Sequence, residues 1–232
     1  MMKILLWNVE WAPSARKMQL IRALLDASTP DITCLTETPL EIFQPDRGYV
    51  IHSQADYGYP NRGNRRKVAL WNSAPWRQVD DVGDEAMPRG RFVSGVSAGI
   101  RFVGVCIPWA MAHVNTGRRD RKPWEDHYAY LEGLRRVLNI YASEPEPICV
   151  LGDFNQRIPP RNRRAYEMLL QALGPRMIIH TFGLRGSDGK LMVDHIATTE
   201  EIGVQIDAII ERCQQNRNIS DHDGLTALLT KS

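Results

Sequence analysis

The stretch Pro147-Ile148-Cys149-Val150-Leu151-Gly152-Asp153-Phe154-Asn155 decides how this chain reads. An apolar run of strand length closes on a glycine and then delivers an acid and an amide in quick succession. The same pattern recurs along the chain. Asn8 follows Ile4-Leu5-Leu6-Trp7, Glu37 follows Ile32 to Thr36, Asp194 interrupts Leu191 to Ala197, and Ser220-Asp221-His222 precedes Leu225 to Leu229. Five apolar strands thus each carry an Asn, an acid or a His at one end. If those ends share one edge of the sheets, the groups converge in a single cleft, as strand-end residues do in other α/β enzymes.

Working outward, the periodicity predicts strands over Lys3–Trp7, Asp31–Glu37, Tyr49–His52, Lys67–Trp71, Pro147–Leu151, Met177–Phe182, Leu191–Ala197, Val204–Ile210 and Leu225–Leu229. Arg91–Val96 and Arg101–Ile107 form a predicted hairpin across Ser97-Ala98-Gly99. Helices are expected over Ala15–Ala27, with Ser14 as cap, over Glu125–Tyr141 and over Asn162–Leu173. Strands and helices in this alternation give an α/β chain, with two packed sheets. With 232 residues and no linker rich in Pro, Gly or Ser, one domain over residues 1–232 is expected.

Composition narrows the classes. An apolar fraction of 43% and a charged fraction of 24% are those of a globular protein. The N-terminal apolar run stops at Trp7, too short for a signal-peptide core, and no stretch approaches the ~20 apolar residues of a membrane span. Cys34, Cys106, Cys149 and Cys213 lack the paired short spacing of a zinc site, and three lie in apolar strands, so a reducing cytoplasm is the expected setting. A net charge of +2 gives no global argument for nucleic acid. Of the 29 basic residues 23 are Arg, which suits phosphate but is equally what GC-rich codon usage produces.

The strand-end set has a coherent chemistry. Mg²⁺ takes oxygen ligands and keeps several waters, so one or two carboxylates and a substrate phosphate hold it. A carboxylate near the attacking water orients it or takes its proton, and an imidazole held by an Asp donates to a phosphate oxygen.

Trp7-Asn8, Thr36-Glu37, Gly152-Asp153-Phe154-Asn155, Val193-Asp194-His195-Ile196 and Ser220-Asp221-His222, in this order, resemble the signature of the endonuclease/exonuclease/phosphatase superfamily. The resemblance implies a four-layer sandwich, two mixed β-sheets flanked by helices, and hydrolysis of P–O bonds with Mg²⁺, for which Mn²⁺ can substitute. It further implies that Glu37 is the main metal ligand with Asn8 and Asp221 close by. Asp153 would act on the nucleophilic water or the leaving oxygen, Asn155 would position the phosphate, and Asp194 would hold His222 against a phosphate oxygen. The implied partner is a phosphoester substrate, DNA or RNA first; a small-molecule or lipid phosphoesterase and a catalytically silent binding module with the same fold are the rivals. No protein partner is indicated.

One departure bears on substrate. Where nuclease branches of the superfamily place a Tyr or His after the strand ending at Val105, this chain has Cys106-Ile107-Pro108-Trp109. His113 is the candidate replacement, with a surface-loop role as its default. Three arginine-rich runs, Arg62–Lys67, Arg118–Lys122 and Arg157 with Arg161, Arg163 and Arg164, are phosphate clamps or solvated loop charge. The third directly follows Asp153 and Asn155, so Arg157 and Arg161 are expected at the cleft, with Arg118 a weaker candidate. Trp109 and Trp124 flank the second run and could stack on bases, although packing at the edge of the core is the preferred reading. His195 should point to the opposite strand face from Asp194 and pack there.

Overall fold

The computed structural model describes residues 1–44, 46–61 and 63–231. In chain order the elements are β1 (Met2–Asn8), α1 (Ala15–Ser28), β2 (Ile32–Pro39), β3 (Tyr49–His52), β4 (Arg65–Asn72), β5 (Arg77–Asp80), β6 (Phe92–Ser97) and β7 (Ile100–Cys106). There follow α2 (Glu125–Tyr141), β8 (Ile148–Asp153), α3 (Arg163–Leu173), β9 (Met177–Ile179), β10 (Asp194–Thr199), β11 (Ile202–Ile210), β12 (Cys213–Gln214), β13 (Arg217–Asn218) and β14 (Gly224–Lys231). Two six-stranded sheets result, ordered β11-β14-β1-β2-β4-β3 and β5-β6-β7-β8-β10-β9. Each is mixed: β1–β2 and β7–β8 are parallel, and the remaining pairs in both sheets are antiparallel.

The continuous apolar runs are explained by burial on both faces. Ile4 and Leu6 of β1 join Phe102, Leu151, Ile196 and Leu225 in the layer between the sheets. Their neighbours Leu5 and Trp7 face the other way, against Ile21 of α1. In the second sheet Phe102 points inward while Val103 and Val105 pack outward against Tyr130, Leu134 and Leu138 of α2 and Leu169 of α3. Helix, sheet, sheet, helix is the four-layer order.

Local chemistry agrees with the element boundaries. The Ser14 side chain accepts from Lys17 N–H at the start of α1, and Asn162 accepts from Ala165 N–H at the start of α3. The β6–β7 hairpin closes through Ala98 and Gly99, both at positive φ (49° and 70°), which suits a two-residue turn. Two predicted strands shrink. β10 begins only at Asp194, because Leu191 is turned into a lone bridge with Arg185, and β9 stops at Ile179. No helix among the described residues is long and apolar enough to cross a membrane.

Topology brings the strand ends together. Asn8 lies beside Thr36 in parallel register, and β14 runs antiparallel to β1, so the residues before Gly224 return to the end of β1. In the second sheet Asp153 lies opposite Asp194, and Cys106 lies beside Asp153. The ends of β1, β2 and β8 and the starts of β10 and β14 thus rim one edge of the sandwich.

Candidate active site

That edge opens into a cleft of about 780 Å³ whose walls include Asn8, Glu37, Asp153, Asn155, Asp221 and His222. Asp153 is its deepest acid. Asn8 Nδ2 donates to Asp153 Oδ2 at 3.1 Å and Asn155 Nδ2 donates to the same oxygen at 3.0 Å, while Asn155 N–H donates to Oδ1 at 2.8 Å. Asn155 Nδ2 also donates to Ile107 O at 2.8 Å, so both its amide hydrogens are engaged by the protein. Asn155 takes a left-handed φ of 52°, a conformation Asn tolerates, and this returns its side chain to the acid two residues earlier. Burial first, then the repulsion of Asp194, raises the Asp153 pKa to about 7; His222 and the Asn155 N–H pull the other way.

Asp194 is fully buried and its Oδ2 accepts from His222 Nδ1 at 2.7 Å. That bond fixes the ring and leaves Nε2 to the cleft, 3.4 Å from Asp221 Oδ1. Burial disfavours the charged imidazole, but Asp194, Asp153 and Asp221 together outweigh it, and the His222 pKa rises to about 10. Asp194 Oδ1 is buried without a hydrogen-bond partner among the described residues, so its charge is compensated chiefly through the imidazole. The loop carrying His222 is tied down by Trp7 Nε1 donating to His222 O at 3.0 Å and by Ser220 Oγ donating to Asn8 O at 2.6 Å.

Glu37 sits at φ 48°, breaking the extended geometry of β2 at the cleft wall, and conformations of this kind cluster at functional sites. Lys67 Nζ donates to its Oε1 at 2.5 Å. The ammonium also lies 4.8 Å from the Trp11 ring centroid and 5.6 Å from that of Tyr57. Among the described residues no group of three or more His, Cys, Asp or Glu is gathered as a metal cage. Glu37, the Asn8 amide and Asp221 are instead hard oxygen donors spread along the cleft wall. That set fits a cation that keeps most of its water, as Mg²⁺ does, and does not fit zinc.

The cleft therefore gathers Asn8, Glu37, Asp153, Asn155, Asp221 and His222, with Asp194 behind His222, and Arg157 and Arg161 line it as well. Two candidates fall elsewhere. His113 is neither in the cleft nor in a surface loop: it is buried, Nδ1 facing Asp126 Oδ2 at 2.6 Å and Nε2 facing Gly58 O at 3.0 Å, with Tyr59 stacked on it at 4.4 Å. Its own left-handed backbone (φ 55°) turns the ring into this clamp, so it does not replace the missing Tyr or His. Arg118 lines that neighbouring depression and pairs with Asp120 at 3.4 Å. His195 is on the outer face of its strand as expected, between Thr181 Oγ1 and Gln156 O. Arg163 pairs outward with Glu167, Arg164 lies over the Tyr128 ring, and Arg62 lies outside the described residues.

Several cleft residues had no sequence signal of their own. Lys67 reads both as the tail of an arginine-rich run and as the first residue of a strand; it is the third residue of β4, and it lines the cleft. Arg91 is 2% exposed and lines the cleft, with Nε unpartnered among the described residues. Lys190 and Arg212 join the same wall, each paired with Asp188.

Comparison with known proteins gives the site a family context. The sequence profile of the Endonuclease/Exonuclease/phosphatase family matches residues 5–222. No curated protein sequence matches the chain. Among solved structures, an AP endonuclease from Archaeoglobus fulgidus superposes with a TM-score of 0.70 at 18% identity, covering 98% of this chain and 99% of that one. The 3'-5' exonuclease NExo from Neisseria meningitidis gives 0.69 at 19% identity, with 98% and 99% covered. The human nocturnin catalytic domain gives 0.70 at 17% identity, with 100% and 94% covered. At these identities the likeness is one of fold.

Proposed function

The chain belongs to the endonuclease/exonuclease/phosphatase family, and on that premise we propose that it is a Mg²⁺-dependent phosphoesterase that cleaves nucleic-acid phosphodiesters by in-line attack of water. The observation that carries the reading is the arrangement around Asp153: a carboxylate held by two Asn amides, in register with the Asp194 that orients His222, all at one cleft.

Each group has a role its geometry suits. Asp153, with a pKa near neutrality, orients the attacking water and takes its proton. Asn8 and Asn155 are positioning residues: they hold Asp153 Oδ2 from two sides, and Asn155 has no amide hydrogen left for phosphate. His222, a cation at neutral pH, offers Nε2–H to a non-bridging phosphate oxygen where charge accumulates. Asp194 keeps that ring in place and charged. Glu37, with Asn8 and Asp221, would hold the metal, which supplies charge neutralisation at the phosphoryl oxygens. Lys67 offsets the Glu37 charge when that carboxylate is otherwise unmatched.

Arg157 and Arg161, lining the cleft next to Asp153, favour a polyanionic substrate. A cleft of about 780 Å³ is also of small-ligand size, which favours the small phosphoester as second reading. Salt dependence separates them. A nucleic-acid substrate should bind much more weakly as salt rises from 50 to 200 mM, by ~10³-fold or more for many phosphate contacts. A response of a few-fold would favour the small substrate.

The direct test is hydrolysis by Asp153→Asn. We expect turnover to fall by about 10²-fold or more with the fold retained. An unchanged rate would remove Asp153 from the chemistry. Arg157→Ala should raise KM several-fold with kcat largely kept, because a phosphate contact outside the reacting centre serves ground and transition states alike.

A further inference from the structure

Trp109 is 47% exposed and lines the cleft, although it follows β7 by only three residues. An indole of that size left in water forgoes a large burial gain. Among the described residues it pairs with no other aromatic ring and carries no cation over its face, whereas Trp11 and Trp124 stack on tyrosines and Trp76 meets Phe102 edge-on. Trp124, at the same wall, does pack at the edge of α2, stacked on Tyr128. Trp109 does not.

Its exposure is not slack. The backbone on either side is pinned to the catalytic floor and to α2. Ile107 N–H donates to Asp153 O at 2.9 Å and Ile107 O accepts from Asn155 Nδ2 at 2.8 Å. Pro108 O accepts from His127 Nδ1 at 2.6 Å, and Ala110 O accepts from Trp124 N–H at 2.6 Å. Residues 107, 108 and 110 are thus each anchored, and the backbone that carries the ring is held in place relative to Asp153 and Asn155. An unpartnered aromatic face carried on a pinned backbone, in the same cleft as the reacting groups, suits a stacking ligand, since the backbone adds little ordering cost at binding.

We propose that Trp109 is a stacking platform for an unpaired nucleobase attached to the scissile phosphate, and that Arg157, which lines the same cleft, holds the adjoining phosphate. The substrate class follows. A base inside a duplex has both faces covered by its neighbours and cannot lie on Trp109, so the enzyme takes single-stranded ends or free nucleotides in preference to intact double strands. The proposal deepens the phosphoesterase reading above and rests on it for the identity of the site.

The test is binding in chelator, where no turnover intervenes. Dissociation constants are read by fluorescence anisotropy for a short oligothymidylate, the same backbone without bases, and the oligothymidylate paired in duplex. The wild type should bind the base-bearing single strand about 10-fold tighter than the baseless one, the scale of one base on an aromatic ring. It should also prefer single strand to duplex. Trp109→Ala should abolish the base preference, and Trp109→Phe, which keeps an aromatic face, should retain most of it. Competition by thymidine monophosphate then assigns the contact: displacement at similar concentration indicates recognition of the free nucleotide, and none indicates a strand, either being consistent with stacking. A base preference unchanged in a folded Trp109→Ala, or absent from the wild type, would overturn the platform. Failure of wild-type hydrolysis with base-dependent binding intact would sink the phosphoesterase reading instead.

Discussion

Asp153 and His222 form one electrostatic unit with Asp194, and their titration carries consequences that can be measured separately. Asp153 has its pKa raised from 3.8 to about 7, so the stability it contributes is full below 3.8 and is lost as pH rises through about 7. His222 is raised from 6.5 to about 10, so its contribution is full below 6.5 and is lost as pH rises through about 10. Both slopes point the same way: this corner of the molecule weakens toward alkaline pH. His222→Gln should flatten the fall in unfolding free energy between pH 6.5 and 10 seen in urea titrations, and Asp153→Asn should flatten the part between 3.8 and 7. Parallel profiles for wild type and His222→Gln would mean that the Asp194 contact does not hold the ring charged. Residues that close an apolar run as lone polar groups were legible from the sequence, because nothing in a buried strand excuses an Asp except a partner or a task. Lys67 and Arg91 were not legible as cleft residues, since a cation that opens a predicted strand reads as solvated charge until the fold buries it. His113 misled for a related reason: its partners, Gly58 and Asp126, come from two other segments, and no local pattern announces them.

At the scale of elements, the approach of β7 to β8 sets the position of Asp153. Gly152 has φ 148°, and a Cβ there would meet Val105 O at 1.9 Å. The parallel pairing of Val105 with Gly152 leaves no room for a side chain just before the acid. Gly152→Ala is therefore expected to cost about 1–3 kcal/mol or more through overpacking, read as a lower denaturation midpoint with unchanged slope. Activity should fall with it, because Asp153 shifts. A Gly152→Ala protein as stable as wild type would contradict this close approach. The main strands and the three α-helices were readable because their apolar periods are long and unmixed. β5 (Arg77–Asp80) escaped notice because Arg77, Gln78 and Val79 are exposed and its pairing with β6 is irregular, so no alternation survives in the sequence. The two-residue strands β12 and β13 are too short to carry a period.

Over the whole molecule, two sheets packed through one shared apolar layer hold the strand ends of both in a common rim, and the cleft exists only while that layer is intact. Two packed sheets were legible in the alternation of strands and helices, and the four-layer order came with the resemblance of the strand-end motifs. The structure supplies its physical reason, since apolar residues of both parities in β1, β7 and β8 require cover on both faces. Substrate was less legible: an exposed Trp109 that shares the cleft with Arg157 and Arg161 gains meaning only from its place in the fold. The central claim is that this rim hydrolyses phosphoesters with a hydrated divalent cation, and it is tested most directly by one assay. Wild type and Asp153→Asn are given oligothymidylate, abasic and nicked DNA, RNA and bis-p-nitrophenyl phosphate with Mg²⁺, and again with excess chelator. Cleavage of at least one substrate by wild type, lost in chelator and reduced by about 10²-fold or more in Asp153→Asn, is the predicted result. Cleavage that survives both the chelator and the substitution, or a folded wild type that cleaves nothing with Mg²⁺ or Mn²⁺, would contradict it.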